Sequence, residues 1–248
     1  MHIADLRVLG DIAAVAVAAA HDLAEVLTTA VRANGGASIA LAGGRTPRDL
    51  YRCLAVDHRR DTPWKDVHVY WGDERQVSHE DERSNYHMAR ESLLDHVPVH
   101  PRSVHPMPTS LGDPSQAAAD YERTLRTRFD SEWPRFDVVL LGIGEDGHTA
   151  SLFPESPALE ETTRWVVPTI APTEPHGRLT LTLPALTHAV WVFVVVAGAS
   201  KRDALRCALG DRPNPRCPAS LIRTAPRIVW WVDAQAAAYL YRGVPNEA

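Results

Sequence analysis

The chain has 248 residues, with 26 Lys+Arg against 31 Asp+Glu for a formal net charge of −5, and it is 45% hydrophobic and 23% charged. This is an ordinary globular composition, and a chain of this length buries about 70–75% of the surface that its unfolded state exposes. Mild acidity argues against a nucleic-acid partner, which selects a basic patch, and no uninterrupted apolar run reaches the ~18 residues of a membrane span.

Cys53, Cys207 and Cys217 are odd in number and unrelated in spacing. They predict reduced thiols in a cytoplasmic setting, not a disulfide framework or zinc site. The alanine-rich stretch 12–20 has no basic segment before it and runs into His21, Asp22 and Glu25, which is not a signal-peptide pattern. No internal repeat divides the chain, so residues 1–248 are expected to form one domain. The sequence leaves monomer and homodimer both open.

In chain order, residues 11–32 read as a long helix stopped by Asn34-Gly35-Gly36. Residues 38–42 (SIALA) read as a short strand, 47–58 as a helix, 67–71 as a strand and 84–96 as a helix ended by Pro98. A proline-rich linker, 98–114, leads to a helix over about 116–129 and a buried-type strand over 136–141 (FDVVLL). Pro154 and Pro157 mark a long loop. Residues 178–183 (RLTLTL) alternate like a strand, and 190–197 (VWVFVVVA) are apolar enough for a strand covered on both faces. A helix over 201–209, a strand over 227–232 and a helix over 233–240 complete the chain. This alternation predicts an α/β fold with a mainly parallel sheet covered by helices. Ligands of such sheets sit beyond the carboxyl ends of the strands.

Residues at those ends carry unusual chemistry. Gly43-Gly44-Arg45-Thr46-Pro47 joins a strand to a helix. Two glycines admit a ligand to the backbone, Thr46 reads as an N-cap with Pro47 first in the helix, and the helix start is an anion site. A tight turn with no ligand explains the same residues equally well. Asp73-Glu74-Arg75 follows the strand ending Tyr70-Trp71. The charges at 79–83 read as a solvated loop; Asp73 and Arg75, nearest the sheet, do not.

Gly142-Ile143-Gly144-Glu145-Asp146-Gly147-His148 contains a literal G-x-G-x-x-G. Pro154 and Pro157 interrupt the helix that a dinucleotide site requires, and Glu145 and Asp146 would repel a pyrophosphate. The better reading is a displayed Asp146–His148 pair. Histidine is a general base near neutral pH, and a carboxylate orients it. No G-x-S-x-G elbow is present, which favours an activated water over a serine nucleophile. Arg178 opens RLTLTL, and Lys201 begins a helix, where the dipole disfavours a cation unless an anion is bound.

Three runs together resemble one family: Ala42-Gly43-Gly44-Arg45-Thr46-Pro47; Trp71-Gly72-Asp73-Glu74-Arg75 followed by Ser84-Asn85-Tyr86; and residues 136–154, ending Asp146-Gly147-His148-Thr149-Ala150-Ser151-Leu152-Phe153-Pro154. The family is 6-phosphogluconolactonase, related in fold to glucosamine-6-phosphate deaminase, and the likeness runs on to Lys201. It implies hydrolysis of 6-phospho-D-glucono-1,5-lactone to 6-phosphogluconate in the oxidative pentose phosphate pathway, with no metal or organic cofactor. It also implies that Gly43, Gly44, Arg45, Thr46, Arg178 and Lys201 hold the phosphate. The likeness further implies that His148, backed by Asp146, activates water, that Asp73 and Arg75 lie beside the sugar ring, and that the fold is a three-layer αβα sandwich around a mainly parallel Rossmann-like sheet with a smaller appended lobe. Two positions depart from the family pattern: Ala42 stands where Ser is frequent, and Ser78 where Pro is frequent. A deaminase would carry a further carboxylate a few residues after the histidine, whereas Glu155 is seven residues beyond His148. A non-catalytic sugar-phosphate sensor would have lost the Asp146–His148 pair. An acidic chain with a locally basic cleft is therefore expected.

Overall fold

The computed structural model describes residues 5–109 and 112–240; positions 110 and 111 of the expected linker lie outside the described residues. In chain order the elements are β1 (Asp5–Leu9), α1 (Ile12–Asn34), β2 (Ala37–Leu41), α2 (Arg45–Asp57), β3 (Val67–Trp71), β4 (Asp73–Arg75), α3 (Asn85–Ala89) and α4 (Pro114–Arg126). They continue with β5 (Val138–Leu141), β6 (Val166–Ile170), β7 (Gly177–Leu181), α5 (Leu183–Thr187), β8 (Trp191–Val196), α6 (Arg202–Ala208), β9 (Ile228–Asp233) and α7 (Ala234–Ala237).

Six strands form a parallel sheet in the order β1-β9-β8-β5-β2-β3. Every residue of β2 and β5 is buried, as apolar strands covered on both faces must be. The chain passes from β2 through α2 to β3 on one side and from β5 to β8 on the other. Strand order thus reverses between β2 and β5, where sheets of this kind open a crevice at their carboxyl ends.

A second, antiparallel sheet, β4-β7-β6, stands at that same edge. Gly72 is the pivot between the sheets. Its N–H donates to Leu41 O of the large sheet (2.9 Å), and its carbonyl accepts from Leu181 N of the small one (2.8 Å).

Helix ends follow their sequence signals. Asp11 Oδ1 accepts from Ala14 N (2.8 Å) at the start of α1, and Gly35, at φ 76°, closes it with an N–H to Val31 O. The 23 residues of α1 reach a mean hydropathy of 1.4 over 18 residues. By length and composition this matches a membrane span, which corrects the expectation drawn from uninterrupted runs alone. Val15, Ala16, Ala19, Leu23 and Leu27 of α1 are buried in the core beside the sheet.

Other boundaries differ for physical reasons. Ser84 caps α3, accepting from His87 N, but the expected helix over 84–96 becomes a π-turn over Arg90–Leu94. The expected strand over 178–183 ends at Leu181, because Pro184 starts α5. Strand β6 went unread because Pro168 lies inside it. Pro168 is accommodated because β6 is an edge strand.

The edge strand β3 carries a pH-sensitive feature. His68 Nδ1 lies 3.1 Å from His105 Nε2, and the His105 ring stacks on Tyr70 with centroids 4.5 Å apart. Burial, then the neighbouring His68 and Arg128, lower His105 from the ordinary 6.5 to about 4. Burial and Arg128 lower His68 as well. The unfolded chain therefore binds these protons more readily than the folded one. The contribution is intact above the ordinary histidine range and is lost as pH falls through it. We expect the melting temperature to drop between about pH 7 and about pH 4.5, and a His105→Phe variant to flatten part of that drop. An identical pH profile in the variant would refute the assignment.

Candidate active site

Gly43, Gly44, Asp73, Arg75, His148, Arg178 and Lys201 line one cavity of about 260 Å³. They arrive from separate strand ends. Gly43 and Gly44 follow β2, Asp73 and Arg75 form β4 just beyond β3, His148 follows β5, and Lys201 follows β8. Arg178 comes from β7, directly opposite Arg75 in the antiparallel pair.

The glycine loop differs from expectation at its end. Gly44, at φ 100°, is the N-cap of α2, and no side chain caps that helix. Arg45 and Thr46 thus lie within the first turn, and the N-cap role expected of Thr46 is corrected. The reason is backbone conformation: at Gly44 the chain needs a positive φ, which glycine alone takes cheaply. The uncapped first turn leaves backbone N–H donors at the cavity end of α2. Arg45 is exposed and, like Thr46, does not line the cavity, although its charge is felt at Lys201. At Ala42 the backbone is already satisfied: its N–H donates to Tyr51 Oη (3.0 Å), and that hydroxyl donates to Ala42 O (2.8 Å).

Gly43 is required by a neighbour. A Cβ there would stand 1.9 Å from Asn85 Oδ1. Asn85 in turn donates from Nδ2 to Asp73 O (2.9 Å). Asp73 is 8% exposed, and its Oδ2 accepts a 2.6 Å hydrogen bond from Ser151 Oγ. Glu74 points the other way and serves structure. It accepts from the backbone N–H groups of Arg75, Asn85 and Tyr86 and from Ser84 Oγ. Burial raises its pKa, and those backbone hydrogen bonds oppose the rise.

The turn after β5 builds the Asp–His pair. His148 Nδ1 lies 2.6 Å from Asp146 Oδ1, and the same oxygen accepts from His148 N at 3.1 Å. Gly144 makes this fold-back possible, since a Cβ there would meet His148 Nδ1 at 2.1 Å. Phe153 flanks the imidazole with ring centroids 4.7 Å apart. Burial opposes ionisation of Asp146, but hydrogen bonding and charge from His148 outweigh it and hold the carboxyl below its ordinary range. With Asp146 on Nδ1, the other ring nitrogen, Nε2, is left as the proton acceptor. Asp146 does not line the 260 Å³ cavity. It faces a neighbouring one of about 770 Å³. No helix follows this turn directly; a short 3-10 turn appears only at Pro157–Glu160, as the case against a dinucleotide loop required.

The cations in and beside the cavity stand outside the ion pairs. Among the described residues, none of Arg45, Arg75, Arg178 and Lys201 forms an ion pair. Arg75 Nη1 donates to Arg83 O (2.6 Å) and Arg178 Nη1 to Gly177 O (3.1 Å). Arg178 is 6% exposed. Burial, then the charge of Arg75, lower its pKa, against the pull of Asp73 and Glu74. Burial likewise lowers Lys201, against the pull of Glu145 and Asp146. Like charges opposed across strands are destabilising, so this arrangement favours a bound anion.

Sequence reasoning gave no role to Asn85, Ser151, Phe153 and Thr173, which also line the cavity. The first three stand inside the quoted motifs, where their neighbours were the only signal. Thr173 comes from the β6–β7 connection and carried none.

The family described as glucosamine-6-phosphate isomerases/6-phosphogluconolactonase matches residues 10–230. A 6-phosphogluconolactonase of Synechocystis sp. is 43% identical over 218 residues, 86% of this chain and 89% of that protein. One of Mycobacterium leprae is 38% identical over 242 residues, 95% and 98% of the two chains. The solved structure of 6-phosphogluconolactonase from Trypanosoma brucei superposes with a TM-score of 0.86 at 29% identity, covering 96% of this chain and 99% of that one. The chain belongs to the glucosamine-6-phosphate isomerase/6-phosphogluconolactonase family.

Proposed function

We propose that this protein hydrolyses 6-phospho-D-glucono-1,5-lactone to 6-phospho-D-gluconate, in the cytoplasm, as the hydrolytic step of the oxidative pentose phosphate pathway. One observation carries the reading: a single cavity unites three cations that form no ion pair, Arg75, Arg178 and Lys201, with an Asp-backed histidine. The phosphate lies among Arg178, Lys201, the Gly43–Gly44 backbone and the first turn of α2. Arg45 adds charge from the rim, and Thr46 acts through its backbone N–H.

His148 Nε2 takes a proton from water as the oxygen adds to the lactone carbonyl, and Asp146 stabilises the imidazolium that forms. The carbonyl oxygen becomes an oxyanion, which Arg75, on the sugar side of the cavity, stabilises. The C–O bond to the ring oxygen then breaks, and His148 returns the proton to that oxygen. Asp73, locked by Ser151 and Asn85, fixes the sugar hydroxyls.

The deaminase reading loses support from Glu155. Its side chain lies 3.7 Å from Arg216, and it lines the neighbouring cavity and not the one that His148 lines. The test is a coupled assay on freshly generated 6-phosphogluconolactone, following the product through its dehydrogenase and subtracting spontaneous hydrolysis. We expect turnover well above background and no ammonia from glucosamine 6-phosphate. Rapid ammonia release, or lactone turnover at the background rate, would overturn the proposal.

A further inference from the structure

Two thiols unused by this mechanism meet behind the catalytic turn. Ala219 N donates to Gly147 O (2.9 Å), which ties the 217–219 segment to the residue between Asp146 and His148. A Cβ on Gly147 would stand 2.8 Å from Cys217 Sγ and 3.1 Å from Cys217 Cα. Cys217 is thus the surface on which that turn rests. It is 2% exposed, with its thiol directed at Ala204 O (3.7 Å).

Cys207, on α6, is only partly buried. Asn214 Nδ2 donates to its sulfur (3.6 Å), and Asn214 O accepts from Cys217 N (2.8 Å), so one residue holds both cysteines. The two thiols interact: burial, then hydrogen bonding and repulsion from Cys207, push the Cys217 thiol up to about 12.

We infer that Cys207 and Cys217 form a peroxide-sensitive dithiol site whose oxidation withdraws Cys217 from Gly147 and slows the hydrolase. The accessible thiol reacts first. Cys207, as thiolate, attacks one oxygen of hydrogen peroxide. The O–O bond breaks, Cys207 becomes a sulfenic acid, and the released hydroxide takes up the thiol proton as water. Cys217 sulfur then attacks the Cys207 sulfur. The S–S bond forms, the S–O bond breaks, and the hydroxyl leaves with the Cys217 proton as a second water. Two thiols and one peroxide give one disulfide and two waters, with two electrons passing from the sulfurs to peroxide. Bonding draws the sulfurs to about 2.05 Å, which moves Cys217 Sγ relative to Gly147. Displacing a catalytic group by about 1 Å costs up to ~100-fold in rate.

The activity readout rests on the proposed lactonase function, whereas the covalent readout does not. The full chain is treated with hydrogen peroxide, alkylated, digested and analysed by mass spectrometry, with lactonase turnover measured in parallel. We expect loss of two hydrogens, a Cys207–Cys217 cross-linked peptide and a roughly 10-fold fall in turnover, all reversed by a dithiol reductant. Cys207→Ser, with Cys207→Ala as a second variant, keeps the untreated activity and loses the response. Cys53→Ser keeps both. Absence of the cross-link, a cross-link without loss of turnover, or equal inactivation of the Cys207 variants would each overturn the inference.

Discussion

His148→Ala is expected to lower kcat on the phosphorylated lactone by about 100- to 10,000-fold, the range of a lost general base. The magnitude follows from the geometry of one nitrogen. Asp146 occupies Nδ1 at 2.6 Å, so Nε2 is the basic atom, and alanine removes it without disturbing the cations across the cavity. Binding of the product, 6-phosphogluconate, measured by calorimetry, should therefore stay within a few-fold of the parent. Some rate should survive, because a phosphate held in place still orients the lactone toward water. Asp146→Asn should also lose rate, since the amide can donate to Nδ1 and turn the wrong tautomer toward the substrate. Parent-like turnover in His148→Ala, after subtraction of spontaneous hydrolysis, would remove His148 from its role.

The pairing of candidate site residues was legible wherever it depends on neighbours in sequence. A histidine two residues after an aspartate on a glycine turn reads directly as a pair, and the two do meet. The residues that hold the site together were not legible. Ser151 reaches Asp73 across 78 positions, and nothing local marks either as the other's partner. Asn85 packs on Gly43 through tertiary contact alone.

Thr46 was misplaced for a different reason. A Thr-Pro pair is a sound capping signal, but the positive φ of Gly44 brings the helix start forward, and backbone conformation leaves no such trace in composition. Much of the fold followed the alternation of apolar runs, because every strand of the large sheet except β1 is largely buried. The misses were edges and short pieces. Strand β1 is largely exposed, β6 contains a proline, and β4 is three charged residues made strand-like by the groups that satisfy them. The chain's mild net acidity is no bar to an anionic ligand. Net charge governs long-range steering, while three cations meet in one cavity regardless of it.

Arg178→Met is the second large effect expected, and it falls on KM. Arg178 is buried, its guanidinium donates to Gly177 O alone among the described residues, and it faces Arg75 across the strand pair. A hydrogen bond to a charged group is worth about 1.5–3 kcal/mol, so KM for the lactone should rise about 10- to 150-fold. The phosphate is remote from the reacting carbon. The interaction is therefore made equally in ground and transition states, and kcat should change little. Stability should move the other way. Methionine fills much of the space of the arginine stem, removes a buried charge and ends its repulsion with Arg75, so the melting temperature should hold or rise. Arg178→Lys keeps the charge but loses the planar fork, and its KM should fall between the two. A stable Arg178→Met protein with unchanged KM and depressed kcat would move Arg178 from the phosphate to the reacting centre.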